Sequence, residues 1–263
     1  TALWAGAFVS IYARPVTRIE ASRWLFENVP TAVVLRTPEG ELVNVPVHAD
    51  DAWLQAGSDE LDLNLHGVVD GDLSVTAVVL PKVSGEGIAG TRVLRARIDE
   101  QGAEAQALLY PSGTTSVELV FDAPVVLGPD TISRVRLSLL DGPPVALETS
   151  VIANEHWDDP LPLRMDGKDP FWNWYAGLSS SPSGQMNLYD NDTPEKRLAL
   201  LDWLDEADVI ALSSNRLYAS IARLPQRYPL TVAYYEALMD GSLGYELAAE
   251  FVSYPTLLGC RFP

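Results

Sequence analysis

The chain has 263 residues, of which 47% are hydrophobic, so it can bury one large core or two ordinary ones. Its 18 basic and 36 acidic residues give a formal net charge of −18, which argues against binding to nucleic acid. The single cysteine, Cys260, excludes an internal disulfide and a cysteine-based zinc site, and no apolar run reaches the roughly 18 residues that indicate a membrane-spanning helix.

The N-terminal segment is unusually apolar over residues 2–9. It either follows directly on a membrane-spanning segment or forms a core strand. Thr17 and Glu20 then have the spacing of a capping box, which predicts a helix over 18–28 that Pro30 ends. Its predicted apolar face comprises Ala21, Trp24, Leu25 and Val29.

Residues 32–148 have a different texture, because short runs rich in Val, Leu and Thr alternate with Gly, Pro, Asp and Asn. This alternation predicts an antiparallel β-sandwich, of the jelly-roll or immunoglobulin-like kind. Turn residues such as those at 38–41 and 141–144 separate the runs. The predicted strands are 32–36, 42–47, 60–66, 72–80, 92–98, 106–109, 116–121 and 132–140.

Helices and strands alternate again after Thr149. A buried strand over 150–153 precedes a long loop to residue 192, and Thr193 with Pro194 predicts the start of a helix. The spacing of Leu198, Leu201, Leu204 and Ala207 predicts its buried stripe. Further predicted elements are a strand over 208–213, helices over 216–221, 230–239 and 245–249, and a strand over 251–254.

The two outer segments share a texture that the middle lacks. We therefore predict a discontinuous α/β domain over 1–31 and 149–263, with a Rossmann-like small parallel or mixed sheet covered by helices. The β-sandwich over 32–148 is an insertion in this domain, at a place where the two chain ends lie close together.

Several motifs in the outer segments carry a resemblance to a known family. They are residues 12–30, residues 151–159, Arg216-Leu217-Tyr218, Arg227-Tyr228-Pro229 and residues 251–255. Together they resemble the extracytoplasmic tail domain of polytopic membrane proteins called YYY membrane proteins, which are similar to protein mannosyltransferase-type glycosyltransferases. The resemblance covers roughly half of the chain, and the inserted β-sandwich departs from the family pattern.

The resemblance implies location and partners more than chemistry. It implies a noncatalytic domain at the extracytoplasmic face of the membrane, which assists recognition of a saccharide acceptor or organises the membrane part. The implied partners are the membrane-spanning part of the same polypeptide and a saccharide or lipid-linked sugar. The sequence predicts no resident cofactor, with a divalent cation as the alternative.

Candidate catalytic residues follow the predicted buried strand, at the strand end where α/β sheets bind ligands. Glu155, His156, Asp158 and Asp159 could act as acid and base or as metal ligands. In a structural alternative, Glu155 and Asp158 cap helices or pair with arginines. A rival function is a self-contained hydrolase or transferase that uses Glu155, His156 and Asp158.

A candidate metal site lies at residues 189–192, where Asp190 and Asp192 resemble the alternating oxygen ligands of calcium loops. The glycine and closing glutamate of such loops are missing, so helix capping by Asp192 or Thr193 is the favoured alternative.

Candidate ligand-binding residues are aromatic or cationic. Aromatic rings in the long loop offer flat faces for stacking on sugars, and guanidinium groups suit a pyrophosphate-linked donor. The alternatives are packing of the loop on its own domain, internal ion pairs, and an interaction scaffold whose sandwich docks a neighbouring subunit. The residues concerned are Trp157, Trp172, Trp174, Tyr175, Arg216, Tyr218 and Arg227.

Overall fold

The computed structural model describes residues 2–14, 16–45, 47, 53–57, 60–63, 71–85, 91–98, 101–109, 115–128, 135–155, 175–177, 188–213, 215–258 and 260–261. The chain divides into two compact units. We call the first the β-body, which comprises Phe26–Ser150 and Asn173–Ala176. The second, the helical unit, comprises Thr1–Leu25, Val151–Trp172 and Gly177–Pro263.

The elements are numbered in chain order. The helices are α1 (Ala2–Tyr12), α2 (Thr17–Asn28), α3 (Pro194–Glu206), α4 (Arg216–Ile221) and α5 (Pro229–Met239). The strands are β1 (Val33–Arg36), β2 (Leu42–Val45), β3 (Trp53–Leu54), β4 (Glu60–Leu63), β5 (Leu73–Ser84), β6 (Arg92–Ile98), β7 (Ala103–Leu109), β8 (Thr115–Leu127), β9 (Val135–Asp141), β10 (Val145–Glu148), β11 (Val151–Glu155), β12 (Ala176–Gly177), β13 (Val209–Leu212), β14 (Thr256–Leu257) and β15 (Cys260–Arg261).

Two antiparallel sheets build the β-body. One has the order β2-β1-β5-β10-β3, with β8 paired to β5, and the other has the order β4-β9-β6-β7. The long strand β5 organises the first sheet, because it pairs with β1, β8 and β10 at different points along its length. In β6, buried and half-buried residues alternate strictly, as expected of a strand with one face on a core.

A single apolar core fills the β-body and draws residues from both sheets. Leu35, Val78 and Leu119 are fully buried and lie side by side on neighbouring strands. Leu94 and Leu137 contribute from the second sheet. Since burial of each such side chain stabilises a fold by about 1.5–3 kcal/mol, this core is the main source of stability in the β-body.

The turn between β9 and β10 lies at residues 142–144, within the predicted turn segment. Gly142 has a φ of 104°, and a Cβ at this position would lie 2.7 Å from the carbonyl oxygen of Thr91. Arg92 is buried beside it and donates from Nε to the carbonyl oxygen of Pro143 at 3.0 Å. The turn therefore requires glycine both for its backbone and for the arginine that packs on it.

The helical unit contains a parallel pair of strands, β11 and β13, aligned from Ile152 opposite Val209 to Glu155 opposite Leu212. Trp203 of α3 packs against Ala153 of β11. A second cluster joins α3, α4 and α5 through buried leucine, isoleucine and tyrosine side chains. Among the residues that the structure describes, this unit thus has two small apolar clusters.

The predicted fold class, a Rossmann-like α/β fold with an inserted sandwich, is wrong. Most of the described strands belong to antiparallel β-sheets. Among the described residues, β11 and β13 pair in parallel within a three-stranded sheet of order β12-β11-β13, which is too small to be a doubly wound sheet. Two of the three strands predicted after Thr149 are present, as β11 and β13, whereas the strand predicted over 251–254 is absent.

The predicted stripe of α3 is wrong at Leu198 and Leu201, which are exposed, while Leu204 and Ala207 are partly buried and pack against the apolar clusters. The buried residues of this helix are Leu200 and Trp203. The start of the helix is confirmed, because the Thr193 hydroxyl accepts from the Lys196 amide and Pro194 is the first helical residue. Leucine occupies several faces of this helix, so periodicity alone could not identify the buried face. The buried face is the one that carries the large indole ring of Trp203.

Three shorter predictions also need correction. The N-terminal segment is a helix, α1, and not a core strand. Residues 245–255, all of them described, contain no helix or strand, which contradicts the helix over 245–249 and the strand over 251–254. Helix α2 begins at Thr17 itself, one residue earlier than predicted, and Leu25 lies on its buried side as expected.

No helix among the described residues combines the length and the apolar character needed to cross a bilayer.

Candidate functional site

The candidate catalytic residues begin at the carboxyl edge of the parallel pair. Asp208 fixes this pair at its other end, because its Oδ2 accepts from the Val151 amide at 2.8 Å and its own amide donates to the Val151 carbonyl oxygen at 3.0 Å. Glu155 is consequently the last residue of β11, opposite Leu212. His156, Trp157, Asp158 and Asp159 lie outside the described residues, so their predicted roles stay predictions.

The aromatic loop is described at one of its predicted ligand-binding positions. Trp172 and Trp174 lie outside the described residues. Tyr175 is buried in the β-body, where its hydroxyl donates to the carbonyl oxygen of Val29 at 2.9 Å. Burial raises the pKa of this phenol above its usual value. In this conformation the Tyr175 ring is part of the packing and presents no open face to a sugar.

The best-defined polar site is the loop that was predicted to bind a metal. The Lys196 ammonium group lies inside it, within hydrogen-bonding distance of four oxygens: the carbonyls of Leu188 at 2.9 Å and Asp190 at 2.8 Å, Asp192 Oδ1 at 2.8 Å and Thr231 Oγ1 at 2.6 Å. We call this arrangement the oxygen cage. Asp190 contributes its backbone and not its carboxylate.

Asp192 is bonded through both carboxylate oxygens. Oδ1 also accepts from the Thr231 hydroxyl at 2.8 Å, and Oδ2 accepts from the amides of Leu230 at 2.7 Å and Thr231 at 3.3 Å. These amides belong to the first turn of α5, where a helix favours a negative charge. Asp192 therefore holds the start of α5 and the Lys196 ammonium at the same time.

The pKa of Asp192 reflects two opposing effects. Burial by itself would raise the pKa of the carboxyl, since it disfavours the charged form. The hydrogen bonds from Lys196, Thr231 and Leu230 outweigh burial and lower the pKa below its usual value of 3.8. The Lys196 and Asp192 side chains are only 11% and 9% exposed, so solvent screens this pair weakly.

Lys196 was not among the residues singled out from the sequence. One signal could have identified it, because it lies four residues after Asp192 on the same turn of chain, the spacing of a helical ion pair. The ammonium group lies in the loop whose Asp190 and Asp192 were the candidate metal ligands, and it bonds to the Asp190 carbonyl and the Asp192 carboxylate. Elsewhere in the described part of the chain, no group of three His, Cys, Asp or Glu side chains gathers.

Three of the predicted ligand-binding residues, Arg216, Tyr218 and Arg227, lie in or between α4 and α5. Arg216 is exposed at the start of α4, and its carbonyl oxygen accepts from the Tyr189 hydroxyl at 3.5 Å. Arg227 is exposed and lies 5.0 Å above the ring of Tyr228. The Lys196 ammonium is 5.8 Å from the centroid of the same ring, so two cationic groups lie near Tyr228.

Tyr218 belongs to the core of the helical unit. Its ring meets that of Tyr235 edge-on at 6.1 Å between centroids, and Tyr235 in turn contacts Tyr234 at 5.0 Å. Such pairs contribute about 0.5–1.5 kcal/mol beyond the area that they bury. The geometry therefore supports a packing role for Tyr218, and the ligand role remains a prediction.

The most exposed apolar feature of the helical unit is α1, which sequence reasoning had noted only as an apolar segment. The helix carries no charged residue, and Trp4 stacks on Phe8 at 5.3 Å while Phe8 meets Tyr12 edge-on at 5.9 Å. All three rings are exposed, as are Leu3 and Val9. The aromatic residues, spaced four apart, form one continuous ladder along the helix.

The opposite face of α1 packs on the C-terminal strand β14. The Thr256 amide donates to Ser10 Oγ at 2.8 Å, and Ala7 is fully buried. A Cβ on Gly6 would lie in ordinary contact, at 3.8 Å, with the Leu257 side chain. Arg14 Nη2 also donates to Thr256 Oγ1. The helix is thus held firmly on one side while its aromatic ladder faces outwards.

The chain matches no protein-family model, no curated protein and no solved structure.

Proposed function

We propose that the chain is a noncatalytic extracytoplasmic domain of a polytopic membrane glycosyltransferase, and that it associates with the membrane through α1. The glycosyltransferase context and the extracytoplasmic location rest on the resemblance of the two outer segments to YYY membrane proteins. In this proposal the domain positions a saccharide or lipid-linked acceptor beside the membrane part of the same polypeptide.

One observation carries the membrane part of the proposal: the uncharged helix α1 exposes Trp4, Phe8 and Tyr12 on one face. Exposed apolar side chains of this size cost free energy in water, at about 25 cal/mol per Å². A helix of 11 residues is about 16 Å long, which is too short to cross a bilayer but suits one that lies in its interface. Tryptophan and tyrosine are the side chains enriched at that level.

The noncatalytic part of the proposal is supported by the use that the structure makes of its polar groups. Lys196, Asp192 and Thr231 bond to one another and to the backbone, and Tyr175 bonds to Val29. These bonds stabilise the two units and leave the groups engaged. We assign saccharide contact to Trp157, Trp172 and Trp174 on sequence grounds alone, because indole rings stack on sugars.

Flotation of the 263-residue chain with phosphatidylcholine vesicles tests the proposal. We expect the chain to float with the vesicles. The double variant Trp4→Gln/Phe8→Gln should bind them at least tenfold more weakly, because burial of one large apolar side chain contributes about 1.5–3 kcal/mol to the free energy of binding. Both positions are exposed, so the melting temperature should change little.

The matched control is Leu198→Gln/Leu201→Gln, which removes two exposed apolar side chains from another helix of the same unit. We expect this control to float like the unaltered chain. Failure of the unaltered chain to float would contradict membrane association through α1. Equal losses in both double variants would show that general hydrophobicity, and not α1, governs binding.

A further inference from the structure

The aromatic ladder of α1, which consists of Trp4, Phe8 and Tyr12, leaves much of its ring surface open. The planes of Trp4 and Phe8 are 18° apart, so this stack engages one face of the indole. The Tyr12 ring meets that of Phe8 edge-on, at 65°. Trp4 is 56% exposed and Tyr12 is 77% exposed, and neither makes another ring contact in the described part of the chain. Both ends of the ladder therefore offer ring surface to the surroundings.

Open ring faces attract cations. The π-electrons give the face of an aromatic ring a negative potential, and indole is the ring that binds cations best. A quaternary ammonium group has no N–H donor and is weakly hydrated, so it leaves water for a ring face more readily than a compact primary ammonium group does. An exposed aromatic ladder thus favours a methylated ammonium group over other cations.

Tyrosine rings elsewhere in the helical unit lie beside cations of the chain itself. The Arg227 guanidinium is 5.0 Å from the ring centroid of Tyr228, and the Arg261 guanidinium is 3.3 Å from that of Tyr254. The ladder differs, because α1 carries no charged residue and no side-chain cation of the described residues lies over its rings. A cation that occupies the ladder would therefore come from outside the described part of the chain.

A bilayer surface supplies such a cation at the level where the rings of an interfacial helix lie. Tryptophan and tyrosine side chains are enriched at the level of the lipid headgroups. The phosphatidylcholine headgroup ends in a trimethylammonium group. Anionic headgroups suit this chain less well, because its net charge is −18 and α1 has no basic side chain to pair with phosphate. Charge and ring chemistry thus favour the same class of lipid.

We propose that Trp4 and Tyr12 bind the trimethylammonium groups of phosphatidylcholine headgroups through their ring faces. This inference rests on the proposed membrane association and specifies the lipid class that α1 recognises. Cation–π contacts depend on the headgroup, whereas apolar burial of the helix depends on the acyl region. The two contributions can therefore be measured separately.

A change of headgroup at constant charge tests the inference. Vesicles of phosphatidylcholine are compared with vesicles of phosphatidyl-N-methylethanolamine, which has the same acyl chains and no net charge but lacks two of the three methyl groups. We expect the unaltered chain to bind phosphatidylcholine about fivefold more tightly in flotation, which is the size of one cation–π contact at an exposed site.

The double variant Trp4→Leu/Tyr12→Leu keeps apolar side chains on α1 but removes its two most exposed rings. It should bind the two kinds of vesicle with equal affinity, because leucine has no ring face for the trimethylammonium group. The matched control is Trp53→Leu, which removes an indole that is 42% exposed in the β-body. We expect this control to keep the fivefold preference. All these positions are exposed, so the melting temperatures should change little.

A second measurement reports the contact directly. In micelles of dodecylphosphocholine, nuclear Overhauser effects should connect the indole protons of Trp4 with the N-methyl protons of the detergent. The signals are assigned by their loss in Trp4→Leu. The indole protons of Trp53, assigned in the same way from Trp53→Leu, should show no such effect.

The outcomes separate this inference from the proposed function. If the unaltered chain floats equally well with both headgroups and the Trp4 protons show no contact with N-methyl protons, recognition of the headgroup is wrong although membrane association stands. If the unaltered chain floats with neither, the proposed association is wrong and this inference fails with it. A preference that persists in Trp4→Leu/Tyr12→Leu, or tighter binding to vesicles that contain phosphatidylglycerol, would also overturn it.

Discussion

The β-body and the helical unit are stabilised in different ways. The β-body has one continuous core of aliphatic side chains from both of its sheets. The helical unit has two smaller clusters, one of them rich in tyrosine, and a nearly buried network of Asp192, Lys196 and Thr231. Apolar contacts are additive and tolerant of direction, whereas a polar network depends on every member.

This difference separates stability from function in the molecule. The β-body retains its fold mainly through many apolar contacts among its buried side chains. The helical unit depends on a few directional bonds and carries α1, the helix to which we assign membrane association. We therefore expect substitutions and pH to act on the two units separately, and hydrogen exchange measured by mass spectrometry can resolve each unit.

The largest expected effect is that of Leu35→Ala in the β-body. Leu35 is fully buried in the centre of the sheet, and the substitution should lower the free energy of opening there by about 3–4 kcal/mol through lost burial and a cavity. Amides of β1, β5 and β8 should exchange faster, while those of α3 and α5 should not. The control Leu42→Ala, at an exposed position of β2, should cost less than about 1 kcal/mol.

If Leu35→Ala lowered amide protection equally in both units, the proposed separation of the two units would be wrong. It would show that the β-body and the helical unit open as one cooperative body.

The second effect is that of Lys196→Met, which leaves the Asp192 carboxylate nearly buried without its ammonium partner. Breaking such a pair from one side costs about 3 kcal/mol. We expect the amides of α3 and α5 to exchange faster, and the exchange rates in the β-body to remain unchanged. Arg197→Met is the matched control, because it removes the adjacent but exposed cation of the same helix. A similar cost for both variants would mean that the oxygen cage contributes little.

The smallest effect is a pH dependence confined to the helical unit. Because the folded pKa of Asp192 lies below its unfolded value of 3.8, its contribution is fully present above that value and is lost as the pH falls through the folded pKa. Protection of α5 should therefore decline below about pH 4. Asp192→Asn should reduce this dependence, and the exposed control Asp190→Asn should not. An unchanged pH profile in Asp192→Asn would assign the effect to other carboxyl groups.

Sequence patterns predicted local features of the β-body well. Strand β6 was predicted with the bounds that the structure has, and β1, β2 and β5 overlap their predictions. Alternation and turn residues are local signals, so they are readable from a short window. The order of strands was not predicted, because pairing of β5 with β1, β8 and β10 depends on contacts far apart in sequence.

The helical unit was harder to predict. The alternation of predicted helices and strands after Thr149 suggested a larger parallel sheet than the one that contains the β11–β13 pair. Leucines on several faces of α3 also obscured its buried side. The cap at Thr193 was predicted because its signal lies within four residues. The oxygen cage was not, because Thr231 reaches Lys196 and Asp192 only after α3 and α5 have packed.

The filling of the oxygen cage by a side chain has a consequence for how this loop behaves in different surroundings. An ion taken from solution obeys mass action, so dilution or a chelator empties its site. The Lys196 ammonium is covalently tethered and cannot be washed away. The loop and the start of α5 should therefore keep their order in the presence of EDTA and at any concentration of free divalent cations.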